Sequence, residues 1–211
     1  MKTAIVIGCT GLVGAELLKL LLADPGYRWV IVLNRRPAGV THPKLIERIL
    51  DFDRPELTDL EGNDFYCALG TTLRKAGSEA AQHTIDCEYP TAIATSLRKR
   101  GVRRIFLVSS LGANPHSRRF YLRTKGRLEE NIIGLHFDRT VIARPSLLLG
   151  RRAENRRGER LAIVLMKMLA PVLRGGFARY RAVEASKVAR CLVNHAALDA
   201  SGLKIVESDE I

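Results

Sequence analysis

A chain of 211 residues with 46% hydrophobic content suits one α/β domain with room for a small appended lobe, which excludes a multidomain machine. Its formal charge of +12 attracts anions and leaves three candidates: a phosphorylated cofactor, an acidic substrate or nucleic acid. Cys9, Cys67, Cys87 and Cys191 form no C-x-x-C pair and the histidines show no ligand spacing. That pattern excludes a disulfide framework, gives no metal site, and leads us to expect a reducing, cytoplasmic setting.

The apolar run Thr3–Ile7 flows into Gly8-Cys9-Thr10-Gly11-Leu12-Val13-Gly14, and a helix pattern follows from Ala15 to Leu22. Strand, glycine turn and helix form the layout of a dinucleotide-binding first βα unit. The glycines allow a tight turn, backbone approach to a pyrophosphate, and close packing of helix on strand. Asp24-Pro25-Gly26 stops the helix, and Trp29–Leu33 is the second strand. It ends in Asn34-Arg35-Arg36-Pro37, where NAD enzymes carry an acidic residue for the ribose 2′-OH. A carboxylate repels a 2′-phosphate, whereas a guanidinium fork bonds one, so the cofactor is read as NADP(H).

Leu45–Leu50 reads as a third strand ending at Asp51-Phe52, and Phe65–Leu69 as a fourth followed by Gly70-Thr71-Thr72. A helical stretch runs from Ser78 to a basic last turn, Arg98-Lys99-Arg100, with Pro90 expected to kink or restart it. Ile105–Ser109 is the fifth strand, Phe120–Asn131 a helix, and Thr140–Ala143 the sixth strand. Helices from Gly158 to Leu169 and from Val183 to Ala197 follow, then a short strand, Lys204–Glu207. The alternation predicts a Rossmann-type, doubly wound parallel sheet in a single domain, 1–211. Its part from about 151 to 200 would supply a reduced substrate lobe. The start of the chain makes a poor signal peptide, and Leu161–Leu173 carries Lys167 and Pro171 and is too short to span a bilayer. No membrane partner is expected.

Strand five ends in Ser109-Ser110, and Tyr121 and Lys125 follow on the next helix. Residues at i and i+4 share a helix face, so phenol and ammonium can serve one site. An ordinary phenol, with a pKa near 10, relays protons poorly at neutral pH; a neighbouring ammonium favours its phenolate. A serine hydroxyl can then orient a substrate carbonyl while hydride moves to or from a nicotinamide.

Together these segments resemble the short-chain dehydrogenase/reductase superfamily, and more narrowly its atypical, Tat-interacting-protein-like branch with bacterial relatives. The likeness rests on GCTGLVG (Gly8–Gly14), LNRRP (Leu33–Pro37), CALGTT (Cys67–Thr72), KAGS (Lys75–Ser78), VSSLGA (Val108–Ala113), YLRTKG (Tyr121–Gly126) and RPSLLLG (Arg144–Gly150). The resemblance implies a cofactor loop at Thr10, Gly11, Leu12 and Val13, and 2′-phosphate arginines at Arg35 and Arg36. It implies cofactor contacts at Leu69, Gly70, Leu148 and Arg156, and an adenine contact at Asp51. Tyr121 becomes the proton donor, Lys125 the ribose-binding lysine, and Ser110 rather than Ser109 the active serine.

The leading reading is an NADP(H)-dependent oxidoreductase acting on a small carbonyl or alcohol, anionic forms being favoured by the basic field. A module that binds NADP(H) and reports it to a protein partner is the alternative, and a homodimer contact is left open. A nucleotide-sugar epimerase is disfavoured by the short region after Gly150. Nucleic acid is disfavoured because the basic clusters lack interleaved aromatics.

Overall fold

The computed structural model describes residues 1–150 and 179–211. In chain order the elements are β1 (Lys2–Ile7), α1 (Leu12–Ala23), β2 (Tyr27–Asn34), β3 (Leu45–Ile49), β4 (Asp64–Cys67), α2 (Leu73–Ala76), α3 (Glu79–His83), a π-helical turn (Thr84–Glu88) and α4 (Tyr89–Lys99). After these come β5 (Arg104–Val108), α5 (Phe120–Gly134), β6 (Arg139–Arg144), β7 (Leu148–Leu149), β8 (Val183–Glu184), α6 (Ala185–Ala197) and β9 (Gly202–Glu207). Seven strands pair in parallel in the order β3-β2-β1-β4-β5-β6-β9. The order reverses between β1 and β4, and in such sheets ligands bind beyond the carboxyl ends of the strands at that switch point.

Alternation along β1 shows why the sheet is covered twice. Ala4 and Val6 pack with Leu17, Leu21, Val188 and Leu192 of α1 and α6. Ile5 and Ile7 point the other way, into Ile93, Leu97, Leu128 and Ile132 of α4 and α5. Both sets are fully buried, as a parallel strand with helices on each face requires. This is the doubly wound single domain expected from the sequence.

One expectation needs correction, one holds, and others fall outside the described residues. Val183 and Glu184 do not open the last helix; they pair with Leu148 and Leu149 in a small second sheet before α6 begins. Pro90 does interrupt its helix: having no N–H, it cannot donate into the preceding turn, and the ladder widens to the π-helical turn just before it. The helix read after Gly158, the apolar stretch Leu161–Leu173, Arg156 and most of the region assigned to a substrate lobe lie outside the described residues.

Candidate functional site

The three glycines of the first loop do different jobs. Gly8 has φ +80°, and a Cβ there would stand 2.5 Å from the Ala68 and Leu69 backbone, so the loop lies directly against the turn after β4. A Cβ on Gly14 would stand 2.0 Å from the Gly8 carbonyl oxygen, which is how tightly α1 seats on the loop. Gly11 is the N-cap of α1 and has ordinary extended angles; its N–H donates to Gly8 O and its carbonyl accepts from Ala15 N–H, each at 2.9 Å. No side chain caps this helix. The N–H groups of Leu12, Val13 and Gly14 therefore lack intrahelical acceptors, as in any first turn, and with exposed Thr10 they fit an anion such as a pyrophosphate. Gly150 leans on the same place, since a Cβ there would meet Leu12 Cδ1 at 2.5 Å. Half-buried Leu148 thus belongs to a segment that reaches the glycine loop at Gly150.

Arg35 and Arg36 are exposed at the carboxyl end of β2, beside that loop. Asn34 differs from them: its side chain is buried, accepting from Cys9 Sγ at 3.1 Å and donating to Glu47 Oε1 at 2.9 Å. Glu47 Oε1 also accepts Ala38 N–H at 2.7 Å, so this carboxylate clamps the arginine loop from below. Exposed Asp51 accepts Asp53 N–H at 2.9 Å, and the following Phe52 stacks on Tyr89, whose hydroxyl donates to Asp53.

The third group gathers at the ends of β4 and β5. Tyr121 is 41% exposed in the first turn of α5, and Lys125, one turn on, is 4% exposed. The Lys125 ammonium makes no hydrogen bond among the described residues. Burial works against its charge, but Tyr121, Asp86 and two thiols outweigh burial and hold the group above its ordinary value. Gly70, next to half-buried Leu69, lies over it; a Cβ on Gly70 would stand 3.6 Å from Lys125 Nζ. Thr72 Oγ1, at the N-cap of α2, and Ser109 Oγ, just past the end of β5, are buried without partners among the described residues. Ser110 Oγ is half-buried with only a 3.5 Å contact to Leu111 O. The loop carrying these serines is drawn onto α5 because Gly126 admits Asn114 and Pro115, whose atoms a Cβ would meet at 2.2 Å.

Sequence reasoning missed Asp86 and Glu47. Asp86 is fully buried beside Lys125. Its signal was faint: one acidic residue between Ile85 and Cys87, in a stretch that also carries Glu79 and Glu88. Glu47 gave no signal beyond one carboxylate in a strand.

A parallel sheet with a glycine cradle at its switch point and a Tyr–Lys pair beyond strand five defines a dinucleotide-binding fold of the short-chain dehydrogenase/reductase kind. The description "NAD dependent epimerase/dehydratase family" matches residues 4–193, and the chain belongs to that family. It is 40% identical over 155 residues to "Protein FMP52-1, mitochondrial" of Scheffersomyces stipitis, covering 71% of this chain and 69% of that protein. "Protein FMP52, mitochondrial" of Eremothecium gossypii is 34% identical over 218 residues, covering 99% and 95%. Among solved structures, the Bordetella bronchiseptica enzyme WbmH in complex with NAD+ superposes with TM-score 0.72 at 15% identity, covering 99% of this chain and 76% of that one. MoeE5 in complex with UDP-glucuronic acid and NAD gives 0.73 at 16% identity, covering 97% and 75%. These structures establish the fold. The names of the relatives overturn the expectation of a cytoplasmic protein. That expectation leaned on free thiols, which report redox poise shared by several compartments rather than an address.

Proposed function

We propose that the protein is an NADP(H)-dependent oxidoreductase that reduces a small carbonyl compound, or oxidises the matching alcohol, in the manner of the Tat-interacting-protein-like branch. The observation that carries this reading is the buried Lys125 ammonium, without a hydrogen-bond partner among the described residues, one helical turn from an exposed phenol. An ammonium that makes no hydrogen bond in the fold is free to donate to a hydroxyl-bearing ligand such as a ribose. The glycine cradle fits the pyrophosphate, and the exposed guanidiniums of Arg35 and Arg36 favour a 2′-phosphate over a bare hydroxyl.

When bound, the nicotinamide supplies or accepts the hydride. Tyr121 Oη gives its proton to the carbonyl oxygen as the alcohol forms, or takes it back in the reverse direction. Lys125 favours the resulting phenolate through space. Ser110 Oγ orients the carbonyl, with Ser109 Oγ behind it at the strand end. The basic surface favours an anionic substrate. Arg156, Leu148, Leu69 and Asp51 complete the cofactor contacts in this reading.

Calorimetric titration tests it. NADPH should bind at least about tenfold more tightly than NADH, the worth of one charge-assisted hydrogen bond or more. Arg35→Asp should reverse that preference or abolish binding, and equal affinities in the parent protein contradict the assignment. A screen of carbonyl compounds with NADPH then tests turnover. Failure of every substrate, with NADPH altering affinity for a protein partner, favours a sensor instead.

A further inference from the structure

Asp86 lies fully buried on the π-helical turn Thr84–Glu88. Turns of this kind within helices gather at functional sites. Its Oδ1 accepts Thr71 N–H at 2.6 Å, and its Oδ2 accepts from Gln82 Nε2 at 3.5 Å. A Cβ on Gly70 would stand 3.7 Å from Asp86 Oδ1 and 3.6 Å from Lys125 Nζ. Carboxylate and ammonium therefore flank one point of the turn after β4.

A buried ammonium without a hydrogen-bond partner loses its proton unless an anion stands near it. The groups facing Lys125 are Tyr121 on its own helix, Cys67 on β4, and Asp86 and Cys87 on the π-helical turn. Burial pushes both thiols up, Cys67 to about 11, so neither is an anion at pH 7. Asp86 is the carboxylate of the set. Burial pushes it up as well, while Lys125, Thr71 N–H, Gln82 and His83 draw it back towards the ionised form.

We propose that Asp86 is a positioning residue of this site: it ties down the Gly70–Thr71 turn and supplies the counter-charge for Lys125. The inference deepens the reading of Tyr121 and Lys125 as the reacting pair, but its test needs neither cofactor nor substrate. Lys125 is followed in the free protein by the carbon-13 shift of its ε-carbon, assigned by its loss in Lys125→Met. The parent should hold Lys125 protonated above the ordinary lysine range, and Asp86→Asn should lower its midpoint by at least about one unit, a tenfold loss of proton affinity. Asparagine keeps an oxygen for Thr71 N–H, so loss of charge is separated from loss of the turn. Should that variant not fold, the reverse arm stands: in Lys125→Met the Asp86 carboxyl carbon should titrate at least about one unit higher than in the parent. An unchanged midpoint for Lys125 in Asp86→Asn, or for Asp86 in Lys125→Met, overturns the proposal. Shifted midpoints in a protein that fails to bind NADPH uphold the pairing while overturning the cofactor reading.

Discussion

A half-buried cation and a buried one sit at opposite ends of the sheet, and they are treated differently. At the amino ends of β4 and β5, Arg104 grips fully buried Asp64 with two bonds, Nε–Oδ1 at 2.5 Å and Nη2–Oδ2 at 2.6 Å. Tyr27 donates to the same carboxylate, Tyr66 meets Tyr27 at 2.8 Å, and Arg104 Nη1 reaches Ala196 O at 3.0 Å. At the carboxyl ends, Lys125 has charge neighbours but no hydrogen bond among the described residues, and the Thr72 and Ser109 hydroxyls nearby are unpaired as well. The Arg104–Asp64 cluster is closed on itself, while Arg139 Nε beside it and His195 Nδ1 are buried without partners among the described residues; the carboxyl ends leave Lys125 without a hydrogen bond. Buried polar groups are normally satisfied, and those left unpaired beyond the carboxyl ends lie at the switch point of the sheet, where a ligand can complete their bonding.

The comparison breaks most sharply at Tyr121. With an identified substrate, Tyr121→Phe should lower kcat by about 10²–10⁴ while leaving NADPH affinity unchanged, because only the hydroxyl is removed. A kcat equal to the parent's would remove Tyr121 from the mechanism. Arg104→Met tests the closed end: it strands Asp64 and should cost about 3 kcal/mol in urea unfolding, with NADPH affinity of the folded fraction unchanged. Replacing both partners with apolar residues should recover most of that loss, and an undiminished cost in the double variant would show that the network stabilises by more than mutual satisfaction. Between the ends, the glycines divide the same way. Gly11→Val should cost about 1 kcal/mol as a poorer N-cap yet weaken NADPH at least about tenfold, by crowding the anion's approach. Gly14→Val should instead collapse the unit, since its Cβ would meet Gly8 O at 2.0 Å. Normal NADPH binding by Gly11→Val would make that glycine merely structural.

How much was legible beforehand follows from the range of each signal. The sheet was readable because β1 and β2 are apolar on both faces and the glycine loop and Asp24-Pro25-Gly26 punctuate them. Tyr121 and Lys125 were readable because helical spacing is local. Asp86 was not, because its partnership with Lys125 depends on a π-helical turn that shifts the helix register, and sequence marks only the proline that follows. The grip of Arg104 on Asp64 was hidden for a similar reason: these residues meet only once β4 and β5 lie side by side. The rotamer of Asn34, counted with Arg35 and Arg36 among the expected cofactor contacts, was not legible: it turns inward to Cys9 and Glu47. Val183 misled because a β-branched residue at a helix start also suits a short strand, and its pairing with Leu148 decided the matter.

The most direct measurement is a calorimetric titration of NADPH into Lys125→Met, set beside the parent protein. Methionine fills the lysine's place without its charge, and no hydrogen bond within the described residues is lost. The variant should stay folded and bind NADPH at least about tenfold more weakly, since a charge-assisted hydrogen bond to the ligand has gone. Equal NADPH affinity in parent and variant would contradict the claim that the carboxyl end of the sheet holds Lys125 uncommitted for a cofactor.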